Sequence, residues 1–159
     1  MEKPFIYRLC FLWIEPLSAH FGVLVNLFTP LTFLQSLSPL ATATTLSPLE
    51  KPIYDQLAAH LFLSPWMQMV VLRSTSDIQV WERILLGMFL CDVLHLWASY
   101  SILGARVYFN PTAWRWEEWV NFAALYGFGS IRLALSAGIG LGRGEKLAQI
   151  CQREPKDRV

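Results

Sequence analysis

Glu15, Asp92 and Arg132 each lie inside an apolar stretch long enough to cross a bilayer. An ionised side chain there costs about 3 kcal/mol or more, and by default it faces a protein interior and carries function. Arginine keeps its charge, and its planar fork can bridge two carboxylates by charge-assisted hydrogen bonds. Two acids against one fixed cation balance when a single proton stays between them, which leaves one carboxyl as acid and the other as base. Such a pair can protonate a leaving oxygen while taking a proton from water or a hydroxyl. That chemistry suits epoxide opening, double-bond isomerisation or cation cyclisation. The same cluster can instead only fix helix packing, so the residue types leave both roles open.

A second group surrounds these three. His20, His60 and His95 fall at similar heights in their stretches, one to two turns from the acids, and Asp55 with Gln56 stands nearer the same mouth. Asp92 and His95 are three apart and Glu15 and His20 five apart, so each helix can aim an acid and an imidazole at one cavity. Neutral imidazoles are good zinc or iron ligands, but the Glu-x-x-His pairs of carboxylate-bridged sites are absent. No metal or other cofactor is expected. Arg73 and Asp77 bracket a short polar turn, where Ser76 or Asp77 would cap the next helix and Arg73 would act as a cationic stop. Pro16, directly after Glu15, frees a backbone carbonyl and makes room beside the carboxylate.

The elements that must hold these residues follow from composition. Of 159 residues, 54% are hydrophobic and 16% charged, against about 25% charged in an ordinary soluble domain. Mean hydropathy is +0.38. The apolar residues gather in four blocks, about 5–27, 53–72, 80–103 and 119–141, each near the roughly 20 residues a spanning helix needs. The expected fold is an all-α integral membrane four-helix bundle, one domain over 1–141, followed by a polar cytosolic tail at 142–159. At about 1.5 Å per residue, Glu15 lies ten residues into the first block, Asp92 twelve into the third and Arg132 nine from the end of the fourth. All three fall near the midplane. The first block exceeds a signal-peptide core in length and contains Arg8, Glu15 and His20, so it reads as a retained helix.

Four spans put both termini on one side. That side carries Lys3, Arg73 and the tail cations Arg143, Lys146, Arg153, Lys156 and Arg158, against Lys51, Arg106 and Arg115 opposite. The positive-inside bias then places both ends in the cytosol, and the short spans suit the thin endoplasmic-reticulum bilayer. Prolines 30, 39, 48 and 52 are expected to interrupt any helix in the 28–52 connection. Trp114, Trp116 and Trp119 form an interfacial aromatic belt before the fourth span. Net charge is +1, with no basic stripe for nucleic acid. Cys10, Cys91 and Cys151 have no metal-like spacing and imply no disulfide framework.

The segments Phe11-Leu-Trp-Ile-Glu-Pro16, Leu72-Arg-Ser-Thr-Ser-Asp-Ile-Gln-Val-Trp81, Cys91-Asp-Val-Leu-His-Leu96 and Trp114 to Asn121 resemble small four-helix membrane proteins of filamentous fungi, found in secondary-metabolite clusters. That family includes membrane epoxide hydrolases of polyene α-pyrone pathways of the aurovertin and citreoviridin type. The resemblance covers all four blocks, and it implies that Glu15, Arg73, Asp77, Asp92 and His95 are family-pattern positions. It further implies a hydrophobic polyketide epoxide as substrate, the bilayer as its reservoir and a membrane-associated oxygenase as a partner. A second resemblance, to the four-helix fold of emopamil-binding sterol isomerases, rests on the intramembrane acids and histidine. The rival expectation from another class is a non-enzymatic membrane scaffold that retains pathway enzymes.

Overall fold

A computed structural model describes residues 3–39, 41, 42 and 44–142. The expected tail, with Cys151 and its cations, lies outside them. Among the described residues the chain is helical, with no strand. Five helices follow in order: α1, Phe5–Phe28; α2, Pro30–Leu37; α3, residues 51–74; α4, Ile78–Tyr108; and α5, Trp116–Ser136. Two of them, α1 and α4, are long and apolar enough to cross a membrane. A core helix of a soluble protein would be mostly covered, whereas only 28% of the apolar window of α1 and 11% of that of α4 are buried.

The side chains are arranged inside out. Trp13, Leu17, Phe21, Leu24 and Phe28 make an exposed apolar stripe along α1, at three- and four-residue spacing. Leu86, Leu90, Leu94 and Trp97 do the same on α4. Glu15, Asn26, Gln68, Ser99 and Arg132 are buried. A conventional core cluster gathers Tyr7, Phe11, Leu72, Trp81, Leu85, Met88 and Leu135, and Val23, Ala58 and Phe122 are buried outside it.

Each boundary has a local cause. Asp77 caps α4, its side chain accepting from the Gln79 amide at 2.8 Å, so of the two expected capping residues Asp77 takes the role. The 75–77 turn is pinned by the Trp81 indole, which donates to the Leu72 and Thr75 carbonyls at 3.1 and 3.2 Å. Helix α4 turns at Gly104, whose φ of 71° suits a residue without Cβ; the kink falls one residue beyond the expected span end at Leu103. The expected 119–141 block is helical only to Ser136. There Gly138, at φ 70°, reverses the chain, and the Ile139 amide reaches back to the Ala134 carbonyl at 2.9 Å in a Schellman closure.

One expectation is corrected. Pro30 does not interrupt a helix but begins α2, and Pro52 stands in the first turn of α3. At the first helical positions the missing N–H would have had no partner anyway, and the fixed φ is already helical. Helix α1 packs along α3, α4 along α5, and α2 bridges from α1 to α5.

Candidate functional site

The site begins with two irregular turns. Pro16 has no N–H to give the Leu12 carbonyl, and the helix before it widens into a π turn over Cys10–Ile14, closed by the Glu15 amide on the Cys10 carbonyl. The Leu12 carbonyl is taken instead by Arg73 Nη2, at 2.6 Å from across the bundle. The Arg73 guanidinium also lies 4.3 Å over the Trp13 ring. A second π turn, Met67–Val71, interrupts α3 two residues beyond Pro65, and the two widened turns pack against each other. Single π turns inside α-helices occur frequently at functional sites, because they re-aim the side chains they carry.

From this pair of turns Glu15 and Gln68 project inward. Arg132 of α5 completes the centre: its Nη2 donates to Glu15 Oε1 and its Nη1 to Asp92 Oδ2 of α4. The structure thus joins Glu15, Asp92 and Arg132 through one guanidinium. Arg132 and Glu15 are 3% and 7% exposed, while the Asp92 side chain keeps 16% exposure. The centre is therefore sealed on the α1 side and less so on the α4 side. Gly129, one turn before Arg132, gives α5 its close approach: a Cβ there would stand 3.6 Å from the Phe89 ring and 3.8 Å from Asp92 Oδ2.

Hydrogen bonding at this centre is incomplete. Among the described residues Glu15 Oε2, Gln68 Oε1 and Arg132 Nε are buried without partners. Gln68, fully buried, stands beside the Glu15 carboxylate, and its Nε2 donates to the weak acceptor Met88 Sδ at 3.4 Å. Two orphan acceptors and one orphan donor in one place suit a small oxygen compound that both donates and accepts, such as water, an alcohol or an epoxide in transit. Gln68 was missed in the sequence reading. Its signal was a primary amide in the middle of the 53–72 block, a polar group with no reason to be in hydrocarbon.

The other expected residues lie elsewhere. His20 Nδ1 donates to the Pro16 carbonyl of its own helix at 2.7 Å, and its ring meets Phe62 edge-on. His60 is exposed and donates to the Gln56 carbonyl at 2.8 Å. Only His95, half-buried one turn after Asp92, shares a helix face with the triad. Among the described residues no group of three or more His, Cys, Asp or Glu is placed to hold a metal ion. Asp55 pairs with Lys51 at 2.8 Å in an exposed contact within α3. Arg73 and Asp77 act on backbone, as above, not on the triad.

A second arginine–carboxylate pair, absent from the sequence reading, opens α5. Glu118 accepts from the Arg115 amide at 2.7 Å and from its Nε at 3.0 Å. Arg115 also donates to the Gln35 carbonyl of α2 at 3.3 Å. Burial alone would raise the Glu118 carboxyl, but the Arg115 side-chain and backbone bonds together hold it below the ordinary range. Trp114 packs on Phe122 and Trp119, while Trp116 is 77% exposed.

The sequence model of a family described as a domain of unknown function, DUF7704, matches residues 2–142. No curated protein and no solved structure matches.

Proposed function

We propose that this chain, which belongs to the DUF7704 family, is a membrane-embedded acid–base enzyme that opens the epoxide of a hydrophobic polyketide. The observation that carries the reading is the Arg132 bridge between Glu15 and Asp92, with Glu15 Oε2 left unpartnered beside Gln68. One carboxyl protonates the epoxide oxygen as its C–O bond breaks. The other accepts the proton of the attacking water or substrate hydroxyl, so the product is a diol or a cyclic ether and the protons balance. Arg132 stays charged throughout and holds both acids in register. The resemblance to membrane epoxide hydrolases of polyene pathways supports the same reaction class.

The setting belongs to the proposal. Helices α1, α3, α4 and α5 cross the bilayer, α2 lies along its surface, and both termini face the cytosol at the endoplasmic reticulum. The exposed apolar stripes and buried polar residues support this placement. A lipid-soluble substrate then reaches the triad laterally past α4, on the side where Asp92 is less covered, after an oxygenase in the same membrane has made the epoxide.

A second reading has its own observation. A cleft at the core cluster is lined by residues from Lys3 to Trp81 and does not include the triad, which favours a structural ion cluster in a membrane scaffold. Purified protein in liposomes, given a polyene epoxide in ¹⁸O-labelled water, separates the two. Oxygen gain or ring closure above empty liposomes is expected. Rates equal to empty liposomes across a series of epoxides would sink the enzyme, and co-purification of an oxygenase would then favour the scaffold. Deuterium uptake at an allylic carbon without oxygen gain would reassign the triad to isomerisation.

A further inference from the structure

Arg132 takes Glu15 by Oε1 alone, so Glu15 Oε2 is buried with no partner among the described residues, as are Gln68 Oε1 and Arg132 Nε. Gln68 is wholly buried and stands beside the Glu15 carboxylate, on the π turn that packs against the one before Glu15. Its Nε2 donates to Met88 Sδ at 3.4 Å. Met88 and Leu72, one turn after Gln68, belong to the buried apolar cluster, so bulk water does not reach these three atoms. The orphans discriminate among oxygen compounds. Two are acceptors and one is a donor, so the missing partner must give two hydrogens and take one. An epoxide has no O–H to give, and an alcohol has one. Water has two, and a buried water typically makes about three hydrogen bonds. A proton shared directly between Glu15 Oε2 and Gln68 Oε1 would serve both acceptors but leave Arg132 Nε bare.

We propose that Gln68, Glu15 and Arg132 hold one water and that this water is the nucleophile, with Gln68 as its positioning residue, Glu15 as base and Asp92 as acid. This role deepens the proposed epoxide opening and rests on it. With both O–H groups donated and one lone pair taken by Arg132 Nε, one lone pair is left for the substrate carbon. As the new O–C bond forms, an O–H proton of the water passes to Glu15 Oε2. The oxirane C–O bond breaks toward its oxygen, and that oxygen takes the proton of the Asp92 carboxyl. The product is a diol, and return of a proton from Glu15 to Asp92 restores the starting state. Asp92 suits the acid's place because its side chain is the more open of the two, 16% exposed against 9%, on the side by which the epoxide enters.

The full chain in nanodiscs tests the water site and its role separately. An X-ray pulse splits bound water into hydroxyl radicals that oxidise the nearest reactive side chain, and Met88, 8% exposed, touches Gln68. In ¹⁸O-labelled water Met88 should gain labelled oxygen in the wild type and lose most of that label in Gln68→Leu, an apolar replacement of similar size. The role is read on an epoxide with a hydroxyl placed for ring closure, which gives diol by water attack and cyclic ether by its own oxygen. Gln68→Leu should slow diol formation about 10–10²-fold, as a misplaced reactant does, and ring closure much less. General loss of structure would slow both alike. Should Gln68→Leu fail to fold, Gln68→Met takes its place in both arms, and Glu118→Gln should leave label and product ratio as in the wild type. Equal Met88 label in the wild type and a folded Gln68 variant overturns the water site, and an unchanged product ratio in that variant overturns the positioning role. A wild type that opens no epoxide while Met88 takes the label sinks the reaction, and the nucleophile's role with it, but not the water site.

Discussion

Two arginines, Arg115 at the N-cap of α5 and Arg132 near its far end, both engage carboxylates, yet they are built for different ends. Arg115 meets Glu118 three residues on, keeps about a third of its side-chain surface exposed, and the carboxylate is used again to close the first turn of α5. That contact is local and nearly complete. Arg132 instead joins two acids from two other helices and leaves Glu15 Oε2 and its own Nε without partners among the described residues. A cap needs one acid per cation, whereas an acid–base centre needs one acid more than it neutralises. The comparison teaches where surplus hydrogen-bonding capacity lies, and it can be broken at several points.

The largest effect is expected from the surplus acids. Glu15→Gln and Asp92→Asn keep shape and much of the hydrogen bonding but remove the exchangeable proton, so turnover of the polyene epoxide should fall about 10²–10⁴-fold while the protein still folds. Glu118→Gln should leave turnover unchanged. If both amide variants fold and keep wild-type rates, the two arginine centres do not differ in kind. Next in size is Arg132→Leu. It leaves two acids facing each other in an apolar interior, and breaking a buried pair from one side typically costs about 3–5 kcal/mol, read as a lowered unfolding midpoint in detergent. Arg132→Lys should lose more activity than its charge predicts, since an ammonium cannot bridge two carboxylates with one planar fork.

The heights of Glu15, Asp92 and Arg132 were legible because an α-helix advances by a constant rise, and three residues at equal depth in apolar stretches have few places to go. Rotation about the helix axis was less legible. His20 and His60 stand at heights similar to His95, but each bonds a carbonyl of its own helix. Depth comes from counting, whereas facing depends on how the neighbours pack. The π turns add to this, since each widened turn shifts the angular register of everything beyond it. Pro16 signalled the freed Leu12 carbonyl, yet nothing in the chain near it named Arg73, sixty-one residues away, as its partner. Helix α2 was hidden because four prolines suggested breakage, while a proline at a first helical position is a starting signal.

Pro16→Ala sharpens the same point with a moderate effect. The new amide would compete with Arg73 for the Leu12 carbonyl and favour an ordinary α turn over residues 10–14, moving Glu15 relative to Arg132. Misplacement of about 1 Å can cost up to about 10²-fold, so turnover should drop by roughly tenfold or more while the unfolding midpoint moves little. Amide exchange at residues 10–16 would show whether the turn changed. Turnover retained with an α-type exchange pattern would separate the π turn from function.

The smallest effect belongs to the local pair and carries a pH signature. Glu118 lies in the first turn of α5, on the aqueous side of the proposed span, and its folded carboxyl titrates below its ordinary value, with the Arg115 bonds outweighing burial. A depressed carboxylate stabilises the fold above its unfolded value, and this contribution is lost as pH falls through the folded one. Capping contacts of this type are worth about 1 kcal/mol, and exposure of Arg115 keeps the ion-pair part small. The wild type should therefore melt lower as pH falls below about 4.5, the ordinary value for this group, whereas Glu118→Gln should start lower at neutral pH and lose less on acidification. Asp77→Asn supplies the control, since asparagine caps nearly as well and should shift the neutral melting point little. Parallel acid curves for wild type and Glu118→Gln would mean that the Arg115 contact does not hold the start of α5, and that the fold draws its acid sensitivity from elsewhere.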